Sequence, residues 1–135
     1  QAPHISQSCR WDCGVACVQM VLAGLGRHVE RSSLLASLGT RSIWTVDLAM
    51  LLHRLGIRFM YCTRTVGVTE GYSKVNFYRS DFTDDTKRVN ALFQEANDAG
   101  VGAIQRSIAW RELASLLADR QFVAILLVDS QSLYP

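Results

Sequence analysis

The residues with chemistry to offer crowd into the start of the chain, in the run QSCRWDCGVAC from Gln7 to Cys17. Cys9, Cys13 and Cys17 stand four apart, with Asp12 before the middle one and Gly14 after it. Zinc sites are normally built from pairs such as C-x2-C, with a second pair further on. The C-x3-C-x3-C spacing lacks that pattern, and Cys62 completes a set only by tertiary accident, so neither a metal nor a cofactor is expected. Small buried hydrophobes near a helix start account for Cys9 and Cys17. Helical spacing makes Cys13 and Cys17 neighbours rather than well-placed disulfide partners. Reduced thiols are expected, and with them a cytoplasmic or nuclear compartment.

Cys13 stands in surroundings that suit a thiol nucleophile. The thiolate is the reactive form. A helix N-terminus carries partial positive charge and free amides, which favour an anion there and can hold a developing oxyanion. Gly14 leaves clearance for a substrate. Gln7, on an extended approach, is the candidate for a second oxyanion donor; its alternative reading is a solvated loop residue. Trp11 walls the site or simply packs. Asp12 is expected to cap the helix.

The elements that must position these residues are mostly helical. Val15, Val18, Leu22 and Leu25 recur at helical spacing and predict a helix over 12–25, stopped by Gly26. A short helix over 31–38 follows. Thr45 as cap, Asp47 in the first turn and Leu48, Leu51, Leu52 and Leu55 as a stripe predict a third, closed by Gly56. IRFMYCT alternates as a strand. Residues 66–82 read as a long loop. Asp84 and Asp85 read as acids favoured at a helix start, ahead of Val89, Leu92, Phe93 and Ala96. Another helix covers SIAWRELASLLAD. QFVAILLVD is a near-continuous apolar run that suits a strand buried on both faces. Such a strand wants neighbours on both sides, so a following strand segment is expected to lie outside this sequence.

The bulk composition is that of one ordinary domain: 135 residues, 49% hydrophobic and 19% charged. A net charge of +2, with bases scattered singly, gives no case for nucleic-acid or membrane binding. No apolar run reaches the roughly 18 residues of a membrane span. A peptide or protein is the partner class left open.

Gln7, Asp12, Cys13, Gly14 and Ala16 form Q-x5-C with D-C-G-x-A around the cysteine. This resembles the papain-like peptidase domains that trim leader peptides in bacteriocin exporters. WDCGVAC, TRSIWTVDLAMLLHRLGIRFMYCTRTVGV and RVNALF are together similar to the guanylyl cyclase domain-containing protein family of animals and plants, over nearly the whole chain. The resemblance implies an α+β, papain-like cysteine peptidase fold. Residues 1–135 would supply an incomplete single domain: the helical portion and the first strands of an antiparallel sheet. It places Cys13 as nucleophile and Gln7 at the oxyanion position. It also implies a His base and an Asp or Asn that orients it, on strands after a run like FVAILLV. His4, His28 and His53 fit no such motif.

Three functions follow as expectations. The first is a thiol hydrolase, or its inactive relative, acting on a peptide or isopeptide-like bond. The second is cyclisation of GTP, as the family's name implies, although no G-x4-G-K-[ST] loop is present. The third is a non-catalytic interaction module.

Overall fold

The computed structural model describes residues 1–68 and 82–133, with 82–84 and 130 described by backbone alone. Most of the predicted loop at 66–82, and the side chain of Asp84, therefore lie outside the described residues.

Helix α1 runs Cys13–Gly24, α2 Arg31–Leu38 and α3 Thr45–Arg54. Their apolar positions meet in one cluster: Val15, Val18 and Leu22 of α1, Leu34 of α2, and Ile43, Leu48 and Leu51. Burying such side chains contributes about 1.5–3 kcal/mol each, which is what holds three short helices together. The predicted stops hold for a conformational reason. Gly26 and Gly56 take φ of 76° and 71°, a region open to glycine. The next amides, Arg27 and Ile57, then close back onto Leu22 and Leu52. Leu25, expected in the core, lies beyond the last helical turn and is exposed.

The chain continues as β1 (Cys62–Thr63), α4 (Phe82–Asp98), β2 (Ile104–Gln105), α5 (Trp110–Ala118) and a terminal turn of helix, α6 (Ser130–Leu133). Val89 of α4 packs with Trp44 and Val46 in a second cluster, bordered by Tyr61, Leu92 and Phe93. α4 thus buries its predicted stripe against α3 rather than against a sheet.

The fold is α+β in the coarse sense, helices with a small sheet, but the sheet differs from expectation. β1 and β2 pair in parallel, Cys62 opposite Ile104, where the papain-like resemblance implies an antiparallel arrangement. Parallel strands need a crossover of a dozen or more residues, and α4 lies in that crossover. The predicted strand over 57–63 is paired only at its last two residues. The apolar run 122–128 forms no ladder among the described residues. Ile125 packs on the first cluster, while Phe122, Val123, Leu126, Leu127 and Val128 are each more than half exposed. A strand needs a hydrogen-bonded neighbour, and hydrophobicity alone does not create one. No helix among the described residues is long and apolar enough to cross a membrane.

Candidate functional site

Cys13 is the first residue of α1 and is half-buried, neither sealed in the core nor free in solvent. Asp12 occupies the N-cap position, and its backbone carbonyl accepts from Ala16 N at 3.0 Å, closing the first turn. Its side chain does not cap. The carboxylate is turned away from the helix and accepts the amides of Ser8 (3.1 Å) and Cys9 (2.9 Å) and the guanidinium of Arg31 (3.1 Å). The reason is in the backbone: Asp12 has φ −101° and ψ 15°, not the extended geometry from which a side chain reaches the N2 or N3 amide. The N-cap side chain thus leaves the start of α1 uncapped, and the thiol of Cys13 stands beside it.

Asp12 is 1% exposed. Burial works to raise its pKa, but the amides of Cys9 and Ser8 and the charge and hydrogen bond of Arg31 outweigh that and hold it below the ordinary carboxylate value. Arg31 also donates to Gln19 Oε1, Ser8 Oγ and the Ser6 carbonyl. Residues 6–9 are thereby tied to α1 and α2 by one side chain.

Gln7 lies in this tied segment, but its amide Nε2 donates to the Cys9 carbonyl at 2.8 Å. Its side chain is exposed and satisfied within its own loop rather than by a second donor role. Gly14 also has a different explanation from substrate clearance: a Cβ there would come within 2.7 Å of Leu48 Cδ1. The glycine lets α1 approach α3. One turn along, Cys17 is half-buried; burial, and then the neighbouring Cys13, push its thiol pKa up. His4, His28 and His53 are all exposed. Trp11 packs on the first cluster with the Arg41 guanidinium 5.8 Å from its ring centroid.

A second concentration of charge, which reading the sequence missed, joins α3 to α4. Asp47 accepts the Trp44 amide at 2.7 Å, fixing the start of α3, and receives Arg88 Nη1 at 2.6 Å. Asp85 is buried too, and accepts from the Ser42 hydroxyl, the Trp44 indole N–H at 2.9 Å and Arg88. Its place in the first turn of α4 is the helix-start position expected of it, but its partners are tertiary. The sequence signal was available: Asp85 and Arg88 stand three apart on a helix, facing the polar residues of RSIWTVDL. A shallow groove of about 290 Å³ beside this network is lined by Asp47, Arg54, Arg88 and Glu95 among others.

Divalent cations fit neither place. Both buried carboxylates near the groove are held by Arg88, and no group of three or more metal-ligating side chains exists among the described residues.

A family model described as guanylylate cyclase matches residues 2–135. The chain is 40% identical over 132 residues to Guanylyl cyclase 1 of Arabidopsis thaliana, an alignment covering 97% of this chain and 48% of that protein. It therefore spans about half the length of that relative. No solved structure matches it.

Proposed function

The chain belongs to the guanylylate cyclase family, and we propose that within it Cys13 is the reactive thiol of a papain-like hydrolytic centre, active or relic. One observation carries the reading: a half-buried thiol on the first residue of a helix whose N-cap side chain, Asp12, makes no capping hydrogen bond. That position offers the free amides of the first turn to an oxyanion. The Cys13 thiol would attack a peptide or isopeptide-like carbonyl carbon, forming a C–S bond, and its proton would pass to the departing amine as the C–N bond breaks. Water would then hydrolyse the thioester to a carboxylic acid and the free thiol. Gln7 would join only after releasing Cys9, and the described residues supply no base. The chain alone is therefore expected to alkylate at Cys13 and not to turn over substrate. Treatment with a thiol-directed electrophile at neutral pH, with each cysteine followed by mass spectrometry, tests this. Cys62 is also half-buried and is the control. Cys13 reacting no faster than Cys62 sinks the reading.

A second reading is favoured by the similarity to a protein named Guanylyl cyclase 1: action on GTP. GTP cyclisation needs a phosphate cradle and carboxylates for divalent ions. Arg54 and Arg88 line the groove, but Asp47 and Glu95 line it too, so the cations there are matched by carboxylates. This reading rests on relationship rather than geometry. Thermal stability under millimolar GTP with magnesium tests it, and an unchanged midpoint counts against a nucleotide site in this chain.

A further inference from the structure

We propose that the groove between α3 and α4 is a binding site for a small zwitterion with an aliphatic tail, such as free leucine or methionine. The site does not involve Cys13. The two helices face each other with matched patterns. α3 presents Asp47, Met50 and Arg54, and α4 presents Arg88, Leu92 and Glu95, each set spaced three to four residues apart on one helical face. Acid, apolar and base on one wall therefore meet base, apolar and acid on the other.

The two ends of the groove differ. At one end Arg88 Nη1 lies 2.6 Å from the Asp47 carboxylate, whose side chain is 3% exposed, and the pair is closed. Asp85 stands behind it, held by Ser42, Trp44 and Arg88. At the other end Arg54 Nη2 and Glu95 Oε1 are 4.0 Å apart, too far for a hydrogen bond, with side chains 45% and 56% exposed. Arg54 spends one donor on the Ser37 carbonyl at 3.2 Å and keeps the rest of its fork. Between the ends the walls are apolar: Met50 is buried, and Leu38 and Leu92 are half-buried. A carboxylate on the Arg54 fork and an ammonium on Glu95 would complete the open end as Asp47 and Arg88 complete the closed one. The tail would then lie between Met50 and Leu92. A groove of about 290 Å³ is at the small end for a ligand site, which suits a single amino acid. The closed end is already made, so little ordering is needed on binding. The open end faces water, so a Kd of about a millimolar is expected.

Titration of the 135-residue chain with L-leucine, followed by NMR shifts of the α3 and α4 amides, tests this. Saturable shifts are expected, concentrated around Arg54 and Glu95. Glycine lacks the tail, N-acetyl-L-leucine the ammonium and L-leucinamide the carboxylate. Each should bind at least about fivefold more weakly, the upper end for one exposed ion pair. Glu95→Gln should weaken L-leucine by a similar factor and leave N-acetyl-L-leucine unchanged, since that probe has no ammonium to lose. Arg54→Gln should in the same way weaken L-leucine and spare L-leucinamide. Both side chains are exposed, so both variants are expected to fold. Where loss of the Ser37 contact disturbs Arg54→Gln, Glu95→Gln decides alone. No saturable shift with L-leucine, or equal affinity for L-leucine and N-acetyl-L-leucine, overturns the inference. So does an equal loss of both probes in Glu95→Gln, which marks a merely structural effect.

Discussion

The guanidinium of Arg88 on α4 lies 2.6 Å from the carboxylate of Asp47 on α3, and the same guanidinium holds Asp85 and the Ser42 carbonyl. One cation thereby joins two helices and the segment that leads into the first. Removing it strands two buried carboxylates. Breaking a buried pair costs about 3–5 kcal/mol, and because Arg88 is 32% exposed the lower end applies. Arg88→Met is expected to lower unfolding stability by about 3 kcal/mol, a large share of the total for a domain of this size. Urea denaturation measures it. A loss below about 1 kcal/mol, the range of exposed ion pairs, would mean the network is a surface ornament.

Acid should act through Asp12. Its pKa in the folded chain lies below the unfolded value, because the Cys9 and Ser8 amides and Arg31 outweigh the effect of burial. The stability it confers is therefore present above the unfolded value of about 3.9 and is lost as pH falls through the folded value. Asp12→Asn does not titrate, so its stability should fall less steeply below pH ~4. Denaturation midpoints at a series of acidic pH values for the two proteins give the comparison. Parallel curves would show that Asp12 is not among the groups driving acid unfolding.

The helices could be read from the sequence because both of their determinants are local. Val15, Val18 and Leu22 announce a face, and Gly26 and Gly56 announce an end. The strands could not, because pairing is a property of two segments. The alternation of 57–63 is real, yet only Cys62 and Thr63 find partners, and they lie past α4. The site is divided in the same way. The position of Cys13 at a helix start followed from spacing. The route of the Asp12 carboxylate did not, since it depends on an arginine 19 residues away. Gly14 shows the limit of residue-type reasoning: the demand for space was legible, but what fills it is Leu48.

Gly14 and Leu48 should behave as a coupled pair. Alanine at 14 gains up to about 1 kcal/mol of helix propensity, but its Cβ would meet Leu48 Cδ1 at 2.7 Å in a packed core. Overpacking of this kind costs about 1–3 kcal/mol, so Gly14→Ala is expected to be net destabilising. Leu48→Val removes the methyl group's reach and should recover part of that loss. A double-mutant cycle by denaturation should show favourable coupling of about 0.5 kcal/mol or more. Additive losses would leave the approach of α1 to α3 without its explanation.

The run 122–128 should govern association. Leu127 is 64% exposed and Val123 57%, beside Phe122, Leu126 and Val128, and the segment has no ladder partner among the described residues. Exposed apolar surface on an extended segment outside any sheet is a template for adding another chain. Only Ile125 is turned into the core cluster, so a charge on the outward positions removes little folding energy. Leu127→Lys is expected to change thermal stability by less than about 0.5 kcal/mol while reducing concentration-dependent association measured by sedimentation or light scattering. Ile125→Lys is its counterpart and should unfold the chain rather than disperse it. If Leu127→Lys left association unchanged, the attractive surface would have to lie elsewhere, for instance around Trp110, which is 77% exposed on α5.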